Sequence, residues 1–397
     1  MHNTIAKGFR AAAVLAGIKK KTGKDLGLIY SEIPADAAAV FTRNRVLAAP
    51  VLVDKEKMKS GKCQAVIVNS GNANCCTGSQ GIQDALSMCR ATAQALGISE
   101  ELVYAASTGV IGQPMPITKV LDAVPGLVEA LRAEKAGGRD DFARAIMTTD
   151  LVPKVFSLPG EIRGKRFRIT GIAKGSGMIR PDMATMLCFV CTDAEVPSRL
   201  LQESLSLAAD GSFNRITVDG DTSTNDMVLL MANGMSGAKI GTEADREIFQ
   251  SLLNDVLLSL AKMIVKDGEG ASKMVEIIVQ GAVSDADARK VADTIAHSSL
   301  VKTALFGEDA NWGRILAAAG RAGVPIDPDR VDIRFNDVLM AENGMSCGDA
   351  AEAAATEILK MPEFAIVTDL KSGKGRASVF TCDFSVEYVR INADYRT

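Results

Sequence analysis

The chain has 397 residues, 47% apolar and 23% charged, with 45 Lys and Arg against 48 Asp and Glu for a net charge of −3. That length and apolar content support a large core divided into two or more lobes, and the small negative charge gives no footprint for nucleic acid. Eight scattered cysteines read as free thiols in a reducing cytoplasm rather than a disulfide framework, and no stretch approaches the ~20 apolar residues a membrane helix needs.

In chain order, the apolar run Ala11 to Ile18 is short, is followed by Lys19-Lys20-Lys21 and lacks a cleavage pattern, so it is not read as a signal peptide. A helix is expected from about Gly81 to Leu96. The apolar run Leu102 to Ala106 then reads as a strand, with Ser107-Thr108-Gly109 as the loop at its end. The polar stretch Glu134 to Asp141 marks a surface connection, and Met183 to Cys191, apolar and flanked by Pro181 and Asp193, reads as a buried strand.

A long amphipathic helix from about Ala244 carries the stripe Ile248, Leu252, Val256, Leu260 and Ile264, and ends in a glycine-flanked turn holding Glu269. The strand Met274 to Val279, a second helix from Ser284 and the apolar run Leu300 to Leu305 follow. A hairpin is expected between Phe364 to Val367 and Ser378 to Phe380, turning at Lys371 to Gly375. Val386 to Ile391 looks like a strand that ties the tail into a sheet. The expected fold class is α/β or α+β with a mixed sheet.

The chemistry concentrates in Lys174-Gly175-Ser176-Gly177-Met178-Ile179-Arg180-Pro181-Asp182-Met183-Ala184-Thr185-Met186-Leu187. A threonine hydroxyl directly after a small residue can attack the preceding carbonyl and turn the peptide bond into an ester. Hydrolysis then frees an N-terminal threonine whose amine serves as base for its own hydroxyl. The histidine count agrees with that reading. His2 lies at the extreme N-terminus, and His297 reads as a surface residue at a helix end, so a freed α-amine with pKa near ~7.7–8.0 is the better base. The plain alternative is that Thr185 belongs to the buried strand.

Other signals are weaker. Cys188 and Cys191 lie in an apolar segment and read as core; Cys75-Cys76 has no assigned role. No dinucleotide or phosphate-loop fingerprint is found. Asp219 to Asp226 lacks the closing glutamate of a calcium loop and reads as a structured loop, so no metal is expected.

Ten segments carry a family resemblance. They are Gly8-Phe9-Arg10-Ala11-Ala12 with Ala16-Gly17-Ile18-Lys19; Asn69-Ser70-Gly71-Asn72-Ala73-Asn74; Ser107-Thr108-Gly109-Val110-Ile111-Gly112; Ile146-Met147-Thr148-Thr149-Asp150; Lys174 to Leu187; Asp219-Gly220-Asp221-Thr222-Ser223-Thr224-Asn225-Asp226; Asp267-Gly268-Glu269-Gly270-Ala271; Gly307 to Arg314; and Ile391 to Thr397. Over essentially its whole length the chain resembles the ornithine acetyltransferase, or glutamate N-acetyltransferase, family of arginine biosynthesis.

The resemblance implies transfer of an acetyl group from N-acetylornithine to glutamate through an acetyl-threonine, with no cofactor; some members also accept acetyl-CoA. It implies Thr185 as nucleophile and new N-terminus, with cleavage between Ala184 and Thr185. Thr108 and Gly109 match the oxyanion hole, and Thr148, Lys174, Thr185, Glu269, Asn392 and Thr397 match substrate-binding positions. Layered α-β sandwich lobes are implied, with the pieces 1–184 and 185–397 associated as a dimer of heterodimers. Departures are Arg180 and Asp182, where smaller or amide residues are expected, and Cys75 before Cys76. A self-cleaving amidase with the same nucleophile and a non-enzymatic binding protein are the competing readings. Transfer to glutamate outpacing hydrolysis excludes the first, and cleavage with an acyl adduct excludes the second.

Overall fold

Continuous apolar runs make the centre of the first sheet. Leu187–Thr192 and Met227–Ala232 are buried at every residue, the pattern of strands covered on both faces. The computed structural model that contains them describes residues 5–19, 23–133, 138–180 and 186–394.

Two compact units result. The first comprises Met1–Gly175, Asp182–Asn214 and Asp221–Ile264; the second comprises Ser176–Pro181, Arg215–Gly220 and Val265–Thr397. Each unit thus draws on chain from both sides of position 185.

The first unit carries an eight-stranded sheet. Its strands are β1 (Phe9–Val14), β2 (Leu26–Phe41), β3 (Lys62–Asn72), β4 (Val103–Val110), β5 (Lys154–Ile162), β6 (Lys165–Lys174), β7 (Leu187–Thr192) and β8 (Met227–Ala232). The order is β4-β3-β2-β8-β7-β6-β5, with β1 paired to β2. The β3–β4 and β7–β8 pairs are parallel and the others antiparallel, so the sheet is mixed.

β2 pairs with β3 through Tyr30 and again from Ala35. Pro34, which has no N–H to give, falls in that irregularity. Successive residues of β3 serve opposite faces: Ala65 and Ile67 pack with Met88, Val124 and Leu127 of the helices Gly78–Leu96 and Ile117–Arg132. Val66 and Val68 pack with Phe142, Phe189 and Leu229. Helix Glu243–Lys266 lies on β6, where a Cβ on Gly171 would stand 2.5 Å from Leu260 Cδ1.

The second unit holds β9 (Met274–Ala282), β10 (Asp332–Phe335), β11 (Val338–Glu342), β12 (Met345–Ser346), β13 (Glu363–Asp369) and β14 (Gly375–Cys382), in the order β12-β11-β10-β13-β9-β14. Val275, Ile277 and Val279 of β9 are fully buried against Val291, Ile295 and Val301 of the helices Asp285–Ala296 and Ser299–Phe306. Glu276, Ile278 and Gln280 between them are only partly covered. Ser284 caps the first of these helices by accepting from the Asp287 N–H.

Several expectations are corrected. The two C-terminal strands are not a hairpin: β9 lies between them, parallel to β13 and antiparallel to β14. Val386–Ala393 is a helix, N-capped by Ser385, and the run from Leu300 is helical too. Ser107-Thr108-Gly109 belongs to β4 itself, since Thr108 and Gly109 pair with Ser70 and Gly71. In the long helix Val256, Leu260 and Ile264 are buried as expected, but Ile248 is 43% exposed and Phe249, Leu253 and Leu257 complete the core. By length and hydropathy that helix does reach what a bilayer span requires; here it covers β6. His297 is half-buried rather than superficial, with the Gly220 backbone close to its ring. The expected helix from Gly81 to Leu96 is present as Gly78–Leu96, and Cys188 and Cys191 are core.

Candidate active site

In the first unit the functional side chains collect where β6 ends. Lys174, the last residue of that strand, is 3% exposed. Its Nζ donates to Thr148 Oγ1 at 2.7 Å and to Thr108 Oγ1 at 3.3 Å. Lys174 is thus a buried strand residue rather than a solvated one.

A buried ammonium needs a counter-charge, and Asp150 Oδ2 lies 3.8 Å away. Asp150 also binds Lys154 Nζ at 2.7 Å, the Gly175 N–H at 2.7 Å and the Thr148 N–H at 3.0 Å. Burial alone would push this carboxyl up; the charges of Lys174 and Lys154 and the Gly175 N–H outweigh it and hold the carboxyl below its usual range.

Asp150→Asn is expected to destabilise the protein by about 3–5 kcal/mol at pH 7, because Lys154 and Lys174 lose a buried partner. A carboxyl with a depressed folded-state pKa stabilises above its unfolded value and loses that contribution as pH falls. The gap between wild type and variant in urea unfolding should therefore be full at neutral pH and shrink below about pH 4.

β3 and β4 run unusually close at Gly71 and Gly109. Gly109 has φ +135°, and a Cβ there would lie 2.3 Å from Gly71 C and 2.5 Å from Asn72 N. The asparagine-rich segment explains how that geometry is held. Asn69 Nδ2 donates to the Asn72 carbonyl, Asn72 Nδ2 to the Gln113 and Pro114 carbonyls, and Asn74 Nδ2 to the Gly81 carbonyl. Ser107 Oγ donates to Asn69 Oδ1 at 2.6 Å, and Asn225 Nδ2 donates to the Ala73 and Ser107 carbonyls at 2.7 and 2.8 Å. Each amide ties backbone to backbone, so the motif is scaffolding for Thr108 and Gly109.

Lys19 belongs to this cluster and was given no role from sequence. Its backbone lies against Gly71, and its Nζ donates to the Ala145 carbonyl at 3.2 Å. The fully buried Asp25 holds the turn by accepting the N–H groups of Ala16, Ile18 and Lys19. Burial lowers the Lys19 amine to about 8; Lys174 adds to the shift, and Asp25 and Asp150 oppose it. The signal was the Ala16-Gly17-Ile18-Lys19 segment itself, where a lysine follows an apolar turn.

In the second unit Glu269 is 7% exposed, and its Oε2 accepts from Asn392 Nδ2 at 2.8 Å. Its N–H donates to the Ser176 carbonyl at 2.9 Å. A Cβ on Gly177 would come within 2.5 Å of the Glu269 carboxylate, so glycine is required there for the carboxylate to approach. Asp219 accepts the N–H groups of Met178 and Ile179 at 2.6 and 2.9 Å, and Tyr388 Oη donates to it at 3.3 Å. The Asp219 end of the acidic loop is thus structured, and it anchors Met178 and Ile179. Arg180 Nη1 reaches the Gly220 carbonyl.

The structure brings together Thr108, Gly109, Thr148 and Lys174 in one unit, and Glu269 and Asn392 in the other. Ala184, Thr185 and Thr397 lie outside the described residues. Burial lowers the His297 ring to about 4; the hydrogen bond to the Asp293 carbonyl opposes the shift, and the charges of Arg180, Lys302 and Arg321 add to it, so the ring is neutral at pH 7. The Cys75 and Cys76 sulfurs are 3.8 Å apart, the first buried and the second exposed. Among the described residues no group of three or more His, Cys, Asp or Glu is placed to hold a metal ion.

The ArgJ family model matches residues 10–397. The chain belongs to the ArgJ family. A relative from Geobacter sulfurreducens, named arginine biosynthesis bifunctional protein ArgJ, is 52% identical over 98% of this chain and 99% of its own length. The crystal structure of the Bacillus halodurans arginine biosynthesis bifunctional protein is 41% identical, with a TM-score of 0.50, over 52% of this chain and 97% of that one. A Mycobacterium tuberculosis ornithine acetyltransferase, solved with ornithine, is 42% identical with a TM-score of 0.42, over 44% of this chain and 92% of its own. Mixed sheets layered with helices, as expected from sequence, are what this ArgJ-family chain forms.

Proposed function

We propose that the protein is a self-processing acetyltransferase of arginine biosynthesis that carries an acetyl group on Thr185 from N-acetylornithine to glutamate. The observation that supports this best is the buried Lys174 ammonium shared between the hydroxyls of Thr108 and Thr148. It sets positive charge beside the Thr108-Gly109 backbone, the position matched to the oxyanion hole.

In maturation the Thr185 hydroxyl attacks the Ala184 carbonyl, the C–N bond breaks, and water releases the Ala184 carboxylate and a Thr185 α-amine. In turnover that amine takes the hydroxyl proton as the oxygen attacks the acetyl carbonyl, and returns it to the departing ornithine nitrogen. The glutamate amine then attacks the ester carbonyl, the bond from that carbon to the Thr185 oxygen breaks, and the α-amine relays the glutamate proton to the departing oxygen, which restores the hydroxyl. Glu269, held by Asn392, offers a carboxylate for a substrate ammonium, and Lys174 a cation for a carboxylate; Thr397 contributes through the tail. Acetyl-CoA is a second donor in this reading.

The pieces 1–184 and 185–397 stay associated, as a dimer of heterodimers in the cytoplasm. The length of the solved Bacillus halodurans chain, matched almost fully by 52% of this one, is what a separated piece would have.

A denaturing gel of the purified protein should show two bands, and mass spectrometry after incubation with N-acetylornithine should find the acetyl group on Thr185. Label appearing on glutamate faster than free acetate supports transferase over amidase. A single intact chain with no adduct overturns the proposal. Lys174→Met should keep the fold and lower kcat/KM about 10²-fold, measured with both substrates.

A further inference from the structure

Met186 follows the cleavage position directly, and both its backbone groups are engaged. Its N–H donates to Asp226 Oδ1 at 3.0 Å, and its carbonyl accepts the Met227 N–H at 3.2 Å. The two residues meet because they precede the parallel strands β7 and β8, where Leu187 stands opposite Met227. Asp226 is 0% exposed, and its Oδ2 has no hydrogen-bond partner of ordinary geometry among the described residues. The Thr42 N–H donates to the Asp226 carbonyl at 3.0 Å, and Thr42 Oγ1 to the Ser223 carbonyl at 2.6 Å, which closes the surroundings. The adjacent Asn225 binds the Ala73 and Ser107 carbonyls. One short segment therefore holds both the chain after the nucleophile and the strand of the oxyanion hole.

A carboxylate buried this completely is costly, and protonation removes the cost. We propose that Asp226 is a positioning residue for the proposed nucleophile, a neutral carboxylic acid that holds the Met186 N–H, the backbone group that follows Thr185 in the chain. The assignment rests on the reading of Thr185 as nucleophile and goes beyond it. Neutrality matters because an anion there would oppose the developing oxyanion and raise the pKa of the released α-amine, weakening it as a base at neutral pH. Burial pushes the Asp226 carboxyl well above the usual range; the Met186 N–H, the Ser223 hydroxyl, the charge of Lys174 and the Thr42 hydroxyl oppose that shift without cancelling it.

The test uses full-length Asp226→Asn and Asp226→Leu beside wild type. Asparagine keeps the acceptor and the neutrality; leucine removes both. D226N should self-cleave and turn over within about tenfold of wild type, and D226L should fall at least about a hundredfold in kcat with KM nearly unchanged. A wild-type-minus-D226N infrared difference spectrum at pH 7 should contain a protonated carboxylic acid band. The raised carboxyl also has a stability signature: the unfolded chain releases this proton from about pH 4 while the folded chain keeps it, so wild-type stability should fall relative to D226N as pH rises from 4 to 8.

Three results overturn the proposal. One is a D226N loss as deep as that of D226L; another is an absent infrared band. The third is a D226L protein whose folded fraction, counted by circular dichroism, turns over at the wild-type kcat. Cleavage and transfer persisting in Thr185→Ala would instead overturn the nucleophile assignment, so the two failures are distinguishable.

Discussion

Thr185→Ala is expected to run on a denaturing gel as one band of about the full 41.9 kDa and to transfer acetyl groups at least about 10⁴-fold more slowly than wild type. The substitution removes one oxygen, and in the proposed scheme that oxygen does two jobs. It breaks the bond to Ala184, and it later carries the acetyl group. Without cleavage no α-amine appears at residue 185, so the base is lost together with the nucleophile. Losses of groups that act as a unit do not add, and the single substitution should therefore match a double variant that also lacks Lys174. Thr185→Ser separates the two jobs, because serine has a hydroxyl but lacks the methyl that restricts rotation about the Cα–Cβ bond. It should still yield two bands, more slowly. A Thr185→Ala protein that splits at the same bond would end the self-processing account.

Gly109→Ala is expected to cost about 10²–10³ in kcat, as removal of an oxyanion donor does, and at least about 2 kcal/mol in stability. The added methyl would fall 2.3–2.7 Å from backbone atoms of Gly71 and Asn72, and φ +135° is a region that L side chains rarely adopt. Backbone cannot swing away as a flexible side chain can, so β4 must part from β3 and the donor must move. Gly112→Ala isolates the conformational part. Gly112 also has a left-handed φ, +78°, but nothing lies within 4 Å of its would-be Cβ. That variant should lose about 1 kcal/mol and keep its activity. Urea unfolding and steady-state kinetics on the pair measure the difference, and equal losses in both would remove the close-approach argument.

Motif residues with an obvious chemical purpose were legible in the sequence, and strand partnerships were not. Lys174 was picked out as a side chain and Thr148 only through the family resemblance; the structure joins them by a hydrogen bond. Asp150 and Lys19 stood in matched segments without a role and Lys154 was passed over, because a buried ion pair has no local spacing that marks it. Asp226 was read only as part of an acidic loop. Its significance comes from the register of β8 on β7, a pairing between segments forty residues apart that no periodicity encodes. The hairpin failed for a related reason: two apolar runs joined by a glycine-rich turn look alike whether they pair with each other or admit a third strand. Val386–Ala393 misled because alternation over a few residues suits a strand as well as a short capped helix. The asparagine-rich segment was matched as a motif, yet its amides turn out to serve carbonyls rather than substrate.

The position of β9 between β13 and β14 sets the order in which the sheet of the second unit can be completed. Both neighbours of that strand leave the ribosome after it, and Asn392, the partner of Glu269, comes later still. In synthesis from the N-terminus β9 therefore emerges with neither of its partners present, and it is paired on both sides only once β13 and β14 have followed. The Glu269–Asn392 hydrogen bond, between residues 123 apart in the sequence, has the same dependence on later chain.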